Sequence, residues 1–202
     1  MEFNQEEIKQ LDSRYRANLF NTLSGYKSAN LISTISERGI SNLAIFNSVI
    51  HIGANPQLMG FILRPTTVER HTYNNILHSS YYTINQIHKG IFEEAHQTSA
   101  KYERNVSEFE KCSLNEEYLA DFPVPFVQQS KIKIGLKFVE EHFIHANDTR
   151  LIVGEVLKVS IAEQFISEDG SVDHPAAETV AISGLDTYLE AIVLNKLSYS
   201  RT

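Results

Sequence analysis

Between residues 42 and 85 the chain interleaves small hydrogen-bonding side chains with apolar, strand-forming ones. The run begins Asn42-Leu43-Ala44-Ile45-Phe46-Asn47-Ser48 and passes through Asn55-Pro56 and Arg64-Pro65. It then reads Arg70-His71-Thr72-Tyr73-Asn74-Asn75-Ile76 and closes on Thr83-Ile84-Asn85. The chemistry such residues offer is holding rather than bond-making. Amides and hydroxyls supply hydrogen bonds, Ala44 permits close approach, and Arg64 and Arg70 can grip an anion through charge-assisted hydrogen bonds. Thr72 is a good helix N-cap. The N–H groups of the turn behind it lack intrahelical partners and point outward with the positive end of the helix dipole. A terminus of that kind binds phosphate. The ligand that suits the run is anionic, flat and partly apolar.

Two readings of these residues stand side by side. In an extended 42–48 segment, residues two apart share a face, so Asn42, Ala44, Phe46 and Ser48 line one side. That face can be the bed of an aromatic ring system whose pyrimidine edge is read by backbone groups. Flavin mononucleotide (FMN), a phosphate joined to an aromatic tricycle, has this shape. Alternatively, Asn42 and Ser48 sit at the wet ends of a strand while Ala44 and Phe46 belong to the core. The helix start divides the same way. Either it receives a phosphate between Arg64 and Arg70, or Thr72 only caps, Asn75 only decorates and the arginines are solvated.

Other chemistries find no support. No G-x-G-x-x-G follows a strand, and G-x-x-x-x-G-K-[ST] is missing, so no dedicated dinucleotide or triphosphate loop is expected. There is no G-x-S-x-G elbow and no spacing from which a Ser/His/Asp triad can be argued. H-E-x-x-H is missing; His142 and His145 would project from opposite faces of a strand, and His71 and His78 read as surface groups on a short helix. The single cysteine, Cys112, lies beside Glu108 and Glu110, which would raise its thiol pKa, and reads as structural.

The elements that must position these residues follow from periodicity. The 202 residues fit one large domain, or one with an inserted helical subdomain, and an apolar fraction of 42% supports a sizeable core. Ile8, Leu11, Tyr15, Leu19 and Phe20 space out as one amphipathic lead-in helix over residues 1–22, ahead of a domain over 23–202. Strands are predicted over 28–35, 42–52, 57–63 and 81–86, with a turn at Glu37-Arg38-Gly39 and the 57–63 strand buried on both faces. Behind Thr72, the residues Tyr73, Ile76 and Leu77 mark a helix, and 88–97 reads as another. The polar stretch 99–125 reads as an excursion over the surface. Ile132, Ile134, Leu136 and Phe138 alternate with Lys131, Lys133, Gly135 and Lys137 in a half-buried strand. Val153, Leu157, Val159 and Ile161 mark the next. Residues 184–189 carry no clear pattern. At least six strands with a few short helices argue for a mainly antiparallel barrel.

Charge and termini bound the partners. A net charge of −7 disfavours nucleic acid and anionic membranes, though not a small anionic ligand held by local amides and arginines. No apolar run approaches the about 20 residues needed to span a bilayer. The acidic, polar start is unlike a signal peptide, and one cysteine excludes an intrachain disulfide; a cytoplasmic protein is expected.

These residues together resemble the flavin reductase-like proteins with the FMN-binding split-barrel fold, over about residues 23–189. The resemblance is carried by Asn42-Leu43-Ala44 with Ser48, Asn55-Pro56, Thr72-Tyr73-Asn74-Asn75-Ile76 and Ile84-Asn85. Glu108-Phe109, Val124-Pro125 and Val153-Gly154-Glu155-Val156 follow in the family's order. It implies a six-stranded antiparallel Greek-key barrel with a few peripheral helices, forming a homodimer with FMN near the subunit interface. In that resemblance residues 42–48 cradle the ring system and ribityl chain, while Leu63, Arg64, Thr72 and Asn75 gather at the phosphate. The chain departs from the family in having Ser24-Gly25-Tyr26-Lys27, where a proline-containing segment is common, and Ile45 where proline is common. The implied activity is hydride transfer from NADH or NADPH to flavin N5, the nicotinamide resting transiently on the flavin, with no obligatory catalytic side chain. The alternatives are an FMN-binding electron-transfer protein without NAD(P)H oxidation, and a small-barrel binding protein without flavin.

Overall fold

The computed structural model describes residues 1–198 and 200. Helices α1 (Gln5–Gln10) and α2 (Ser13–Leu23) lead into strands β1 (Lys27–Ser28), β2 (Asn30–Ile35), β3 (Ser41–Phe46), β4 (Val49–Ala54) and β5 (Gln57–Leu63). Helix α3 (His71–Ser79), strand β6 (Tyr81–Gln86), helices α4 (Phe92–Gln97) and α5 (Glu108–Lys111), and the short β7 (Glu116–Glu117) and β8 (Phe126–Val127) follow. The chain ends in the long hairpin β9 (Ile132–Ile144) and β10 (Thr149–Ile161), then β11 (Val180–Ser183) and β12 (Thr187–Glu190).

The main sheet has seven antiparallel strands in the order β3-β2-β6-β9-β10-β5-β4. Its two end strands, β3 and β4, are consecutive in the chain. The sheet therefore closes through Asn47 and Ser48, as a barrel whose six staves include one bent in two. The sequence predicts a single strand over 42–52; the structure breaks it at these two residues. Polar side chains make the break possible. The Ser48 hydroxyl donates to the Ile62 carbonyl (3.0 Å) and accepts the Ile62 N–H (3.2 Å), and the Asn47 amide donates to the Gly184 carbonyl (2.7 Å). Backbone groups that leave one ladder before joining the next stay paired.

Inside the barrel, Ile32, Phe61, Tyr82, Ile84, Ile134, Leu136 and Ile152 converge from the staves. The alternation along β2 and β3 sends Leu31 and Leu43 outward, into a second core with Ile87, Ala95, Phe109 and Ile182. That outer core is roofed by α4, α5 and the small sheet β1-β11-β12. So β2 and the first half of β3 are buried on both faces, and the unplaced 184–189 segment closes the β11–β12 hairpin that helps bury them. In β5 only Gly60, Phe61 and Leu63 are fully buried, because its neighbour β4 is an outer strand with Ile50 and Ile52 exposed.

Other predicted elements are adjusted for local reasons. The lead-in is two helices, since the Asp12 carboxylate accepts the Arg14 and Tyr15 N–H groups (2.9 and 3.0 Å) and starts a new one. The helix expected over 88–97 is shortened to Phe92–Gln97 because His88 pairs with Thr179 and the Lys89 N–H with the Glu178 carbonyl. The turn between β2 and β3 falls where expected, with Gly39 at φ +77°. No helix among the described residues is long and apolar enough to cross a membrane.

Tyr82 fills the barrel centre with its hydroxyl buried and unpartnered among the described residues. It reaches across Gly154, where an added Cβ would overlap the hydroxyl and lie 2.9 Å from the ring carbon that bears it. Gly154→Ala should therefore destabilise the fold by about 1–3 kcal/mol through overpacking. Tyr82→Phe should stabilise it by about 1 kcal/mol by removing an unsatisfied polar group. The double variant should lose less than the single effects sum to, as read from urea midpoints.

Candidate functional site

The bent stave places the end of β3, the Asn47–Ser48 corner and the end of β5 around one cleft of about 840 Å³. This volume lies within the range typical of small-molecule and cofactor sites. The start of α3, the segments 64–70 and 98–104, and the β11–β12 turn complete its wall.

Of the residues singled out from sequence, Asn42, Ala44, Ile45, Phe46, Asn47, Ser48, Leu63, Arg64, Arg70 and Thr72 line this cleft. Strand and helix meet directly, the Asn42 amide donating to the Thr72 hydroxyl at 3.2 Å. Phe46 serves both readings of its face, packing edge-on against Phe61 (ring centroids 5.0 Å apart) while it lines the cleft. Leu43 and Asn75 lie outside. Leu43 faces the outer core because strand alternation opposes it to Ala44. Asn75 is 3% exposed, its amide donating to the Thr34 hydroxyl at 3.0 Å, so it ties α3 to β2.

Thr72 is not the cap that its type suggests. The helix begins two residues earlier than a Thr72 cap would place it, with Arg70 as N-cap and no side-chain capping bond, and Thr72 is its second residue. The Arg70 side chain instead donates from Nε to the Pro65 carbonyl (3.2 Å). With the Thr72 hydroxyl engaged by Asn42, the N–H groups of the first turn keep no side-chain partner among the described residues. The helix start is thus more open than a threonine cap would leave it.

The rim of β3 is the second open feature. As the last strand of its ladder it has an unpaired edge, and the Leu43 N–H on that edge is taken by the buried Glu108 carboxylate (2.9 Å). Ser41, on the same edge, hydrogen-bonds Ser107 (2.7 Å) and Glu116. By antiparallel geometry the Ile45 N–H, two residues further, points the same way. Ile45 itself lines the cleft.

Several lining groups escaped sequence reading. Glu108 and His71 share the wall with His96, whose Nδ1 lies 3.1 Å from the Tyr188 hydroxyl. Burial, followed by the charge of Asp186, pushes the Tyr188 phenol up to about 12. Burial also raises Glu108 above the usual carboxylate range, against the lowering effects of the Leu43 N–H and of nearby His71. The Cys112 thiol is likewise raised by burial, as befits a structural residue. Only Glu108-Phe109 gave any sequence signal, through its place in the motif order. Although the chain is acidic overall, Arg64, Arg70 and Lys101 line the cleft with no carboxylate partner among the described residues. No cluster that could hold a metal ion is found among the described residues.

The chain is similar to proteins of known architecture. The family model described as "Flavin reductase like domain" matches residues 24–174. A candidate flavin reductase with a split barrel domain from Shewanella frigidimarina NCIMB 400 is 47% identical, with a TM-score of 0.95 over 99% of this chain and 100% of that one. Nitrilotriacetate monooxygenase component B from Bacillus cereus shares the fold at 16% identity, with a TM-score of 0.85 over 98% of each chain. So does the 2-nitrobenzoate 2-nitroreductase of Pseudomonas fluorescens, at 16% identity and a TM-score of 0.83 over 99% of this chain and 96% of that one. No curated protein matches the sequence significantly.

The buried carboxyl in the wall has a measurable consequence. With its folded-state pKa raised, Glu108 keeps its proton at pH values where the unfolded chain has lost it. Its contribution to stability is therefore full below the ordinary glutamate range and is lost as pH rises through the folded value. Glu108→Gln retains an oxygen to accept the Leu43 N–H but has no proton to lose. Its urea midpoint should gain on the wild type as pH rises above about 4, the ordinary glutamate value.

Proposed function

Because the chain belongs to the flavin reductase-like family, we propose that it is an FMN-binding oxidoreductase that accepts hydride from NADH or NADPH. The observation that carries this reading is the convergence of the unpaired β3 edge and the uncapped α3 start on one cleft. The donor set matches the cofactor's two ends. Ala44 and Phe46 give a flat apolar wall, and the Ile45 N–H offers a donor to the pyrimidine edge of a ring lying there. At the other end Arg64, Arg70, Thr72 and the first-turn N–H groups of α3 suit a phosphate.

Bound FMN supplies a ring that takes hydride from a nicotinamide and passes electrons on. The protein's work is then orientation and exclusion of water. Asn42 fixes Thr72 against the strand, Leu63 and Phe46 keep the ring's inner side dry, and the rim stays open to the nicotinamide nucleotide. We assign no proton-transfer role to a side chain. A transient nucleotide substrate needs no dedicated dinucleotide loop, in accord with the lack of one.

A homodimer with the flavin near its interface belongs to the same proposal. Its support is the set of apolar side chains left exposed on β4 (Ile50, Ile52), β10 (Leu157, Val159) and α2 (Tyr15, Phe20, Leu23). A cytoplasmic setting accords with a single, buried, unpaired cysteine. The missing dinucleotide loop also suits a second reading, an FMN-binding electron-transfer protein without NAD(P)H oxidation of its own.

Purified protein should be yellow, or turn yellow with added FMN, and mixing with NADH or NADPH without oxygen should bleach the flavin band within seconds. A stable yellow colour in both nucleotides selects the second reading, and protein that stays colourless with FMN overturns both. Thr72→Ala and Arg70→Ala should each weaken FMN binding about tenfold, measured by quenching of flavin fluorescence.

A further inference from the structure

We propose that Arg104 is a ligand for the cofactor's phosphate, contributed from outside the α3 region, and that Glu69 holds it in reserve until the phosphate arrives. The proposal rests on the flavin reading above. Two separate segments of the cleft wall, 64–70 ahead of α3 and 98–104 behind α4, are joined by the Arg104–Glu69 ion pair at 2.9 Å. Among the described ion pairs it alone has both partners in that wall.

Glu69 directly precedes the N-cap residue Arg70, so its carboxylate stands at the positive end of α3. Yet it hydrogen-bonds none of the open N–H groups there. Its Oε1 takes Arg104 (2.9 Å) and the Asn74 amide (3.4 Å). The protein thus stations its own anion beside the anion site without filling it.

A phosphate entering at α3 carries close to two negative charges and strong acceptor oxygens. It repels Glu69 and competes with it for Arg104, the arginine that Glu69 holds at this end of the helix. The competition is winnable, because the side chains of Arg104 and Glu69 are 56% and 52% exposed and an exposed pair of this kind is cheap to break. A guanidinium can then meet two phosphate oxygens through its paired N–H groups, and the segment 98–104 is drawn toward α3. Arg64 and Lys101 also line the cleft, but neither is held at the helix start by a carboxylate.

The test compares FMN with riboflavin, which shares the ring system and ribityl chain but lacks the phosphate, by fluorescence titration of wild type, Arg104→Ala and Glu69→Gln. Arg104→Ala should weaken FMN about tenfold or more and leave riboflavin unchanged. Glu69→Gln should tighten FMN severalfold, again with riboflavin unchanged, since it releases the arginine and removes a repelling charge. Both side chains are more than half exposed, so neither substitution removes core packing. Equal effects on the two flavins, no effect on either, or a selective loss of FMN in Glu69→Gln would each overturn the proposal. Wild type that binds neither flavin overturns the flavin reading itself, and this proposal with it.

Discussion

A β-sheet that closes on itself must dispose of its two edges, and a chain that turns a barrel corner must keep its backbone polar groups paired while it does so. Here one pass of chain meets both demands. Residues 41–54 pair with β2 over their first half and with β5 over their second, and at the change the Ser48 hydroxyl stands in as partner to Ile62. Asn47 fastens the corner to the β11–β12 turn through the Gly184 carbonyl. Closure by a bent stave leaves the end of β3 projecting beyond cover, and the cleft forms beside that projection.

The same economy operates at α3. A threonine hydroxyl that caps its own helix cannot also hold the helix to a neighbouring strand. In this protein Thr72 is used for the second purpose, and the uncapped first turn is left facing the cleft. Asn75 and Thr34 add a buried second tie, so the open terminus sits on a fixed helix rather than a fraying one. Outside the cleft lining, Arg150 stacks on Tyr73 and Phe143 and pairs with Glu141 at 2.7 Å, pinning the first turn of α3 to the long β9–β10 hairpin. An open helix end is costly unless something orders it, and the surrounding packing does so here.

The charge distribution follows from these placements. The chain is acidic as a whole, yet its basic side chains at the cleft outnumber the carboxylates bound to them. The buried Glu108 is spent on the β3 edge rather than on a basic group. It seals the strand at Leu43, and the unpaired edge becomes available only where the cleft begins. In the flavin reading, this division separates the part of the strand that holds the fold from the part that holds the ligand.

Much of this was legible in local patterns. Strand-forming residues gave β6 its observed bounds, and Gly39 marked the β2–β3 turn because positive φ is costly for other residues. The order of short motifs pointed to the barrel and to the strand and helix start that meet at its cleft, but not to the 98–104 segment or the β11–β12 turn that complete the wall. What sequence could not supply was the partner of each polar group. Thr72 has the chemistry of a cap, but whether its hydroxyl turns to its own helix or to Asn42 depends on a strand 30 positions away. Asn47 and Ser48 read as continuing a strand, because nothing local announces that Gly184 and Ile62 will be there to receive them. The sequence by itself determined where most of the barrel strands and the α3 helix run and which of their faces are apolar, since those follow from neighbours a few residues apart. Only the tertiary structure decided which hydrogen-bonding groups are used up in folding and which remain free at the cleft, because that depends on contacts between segments far apart in the chain.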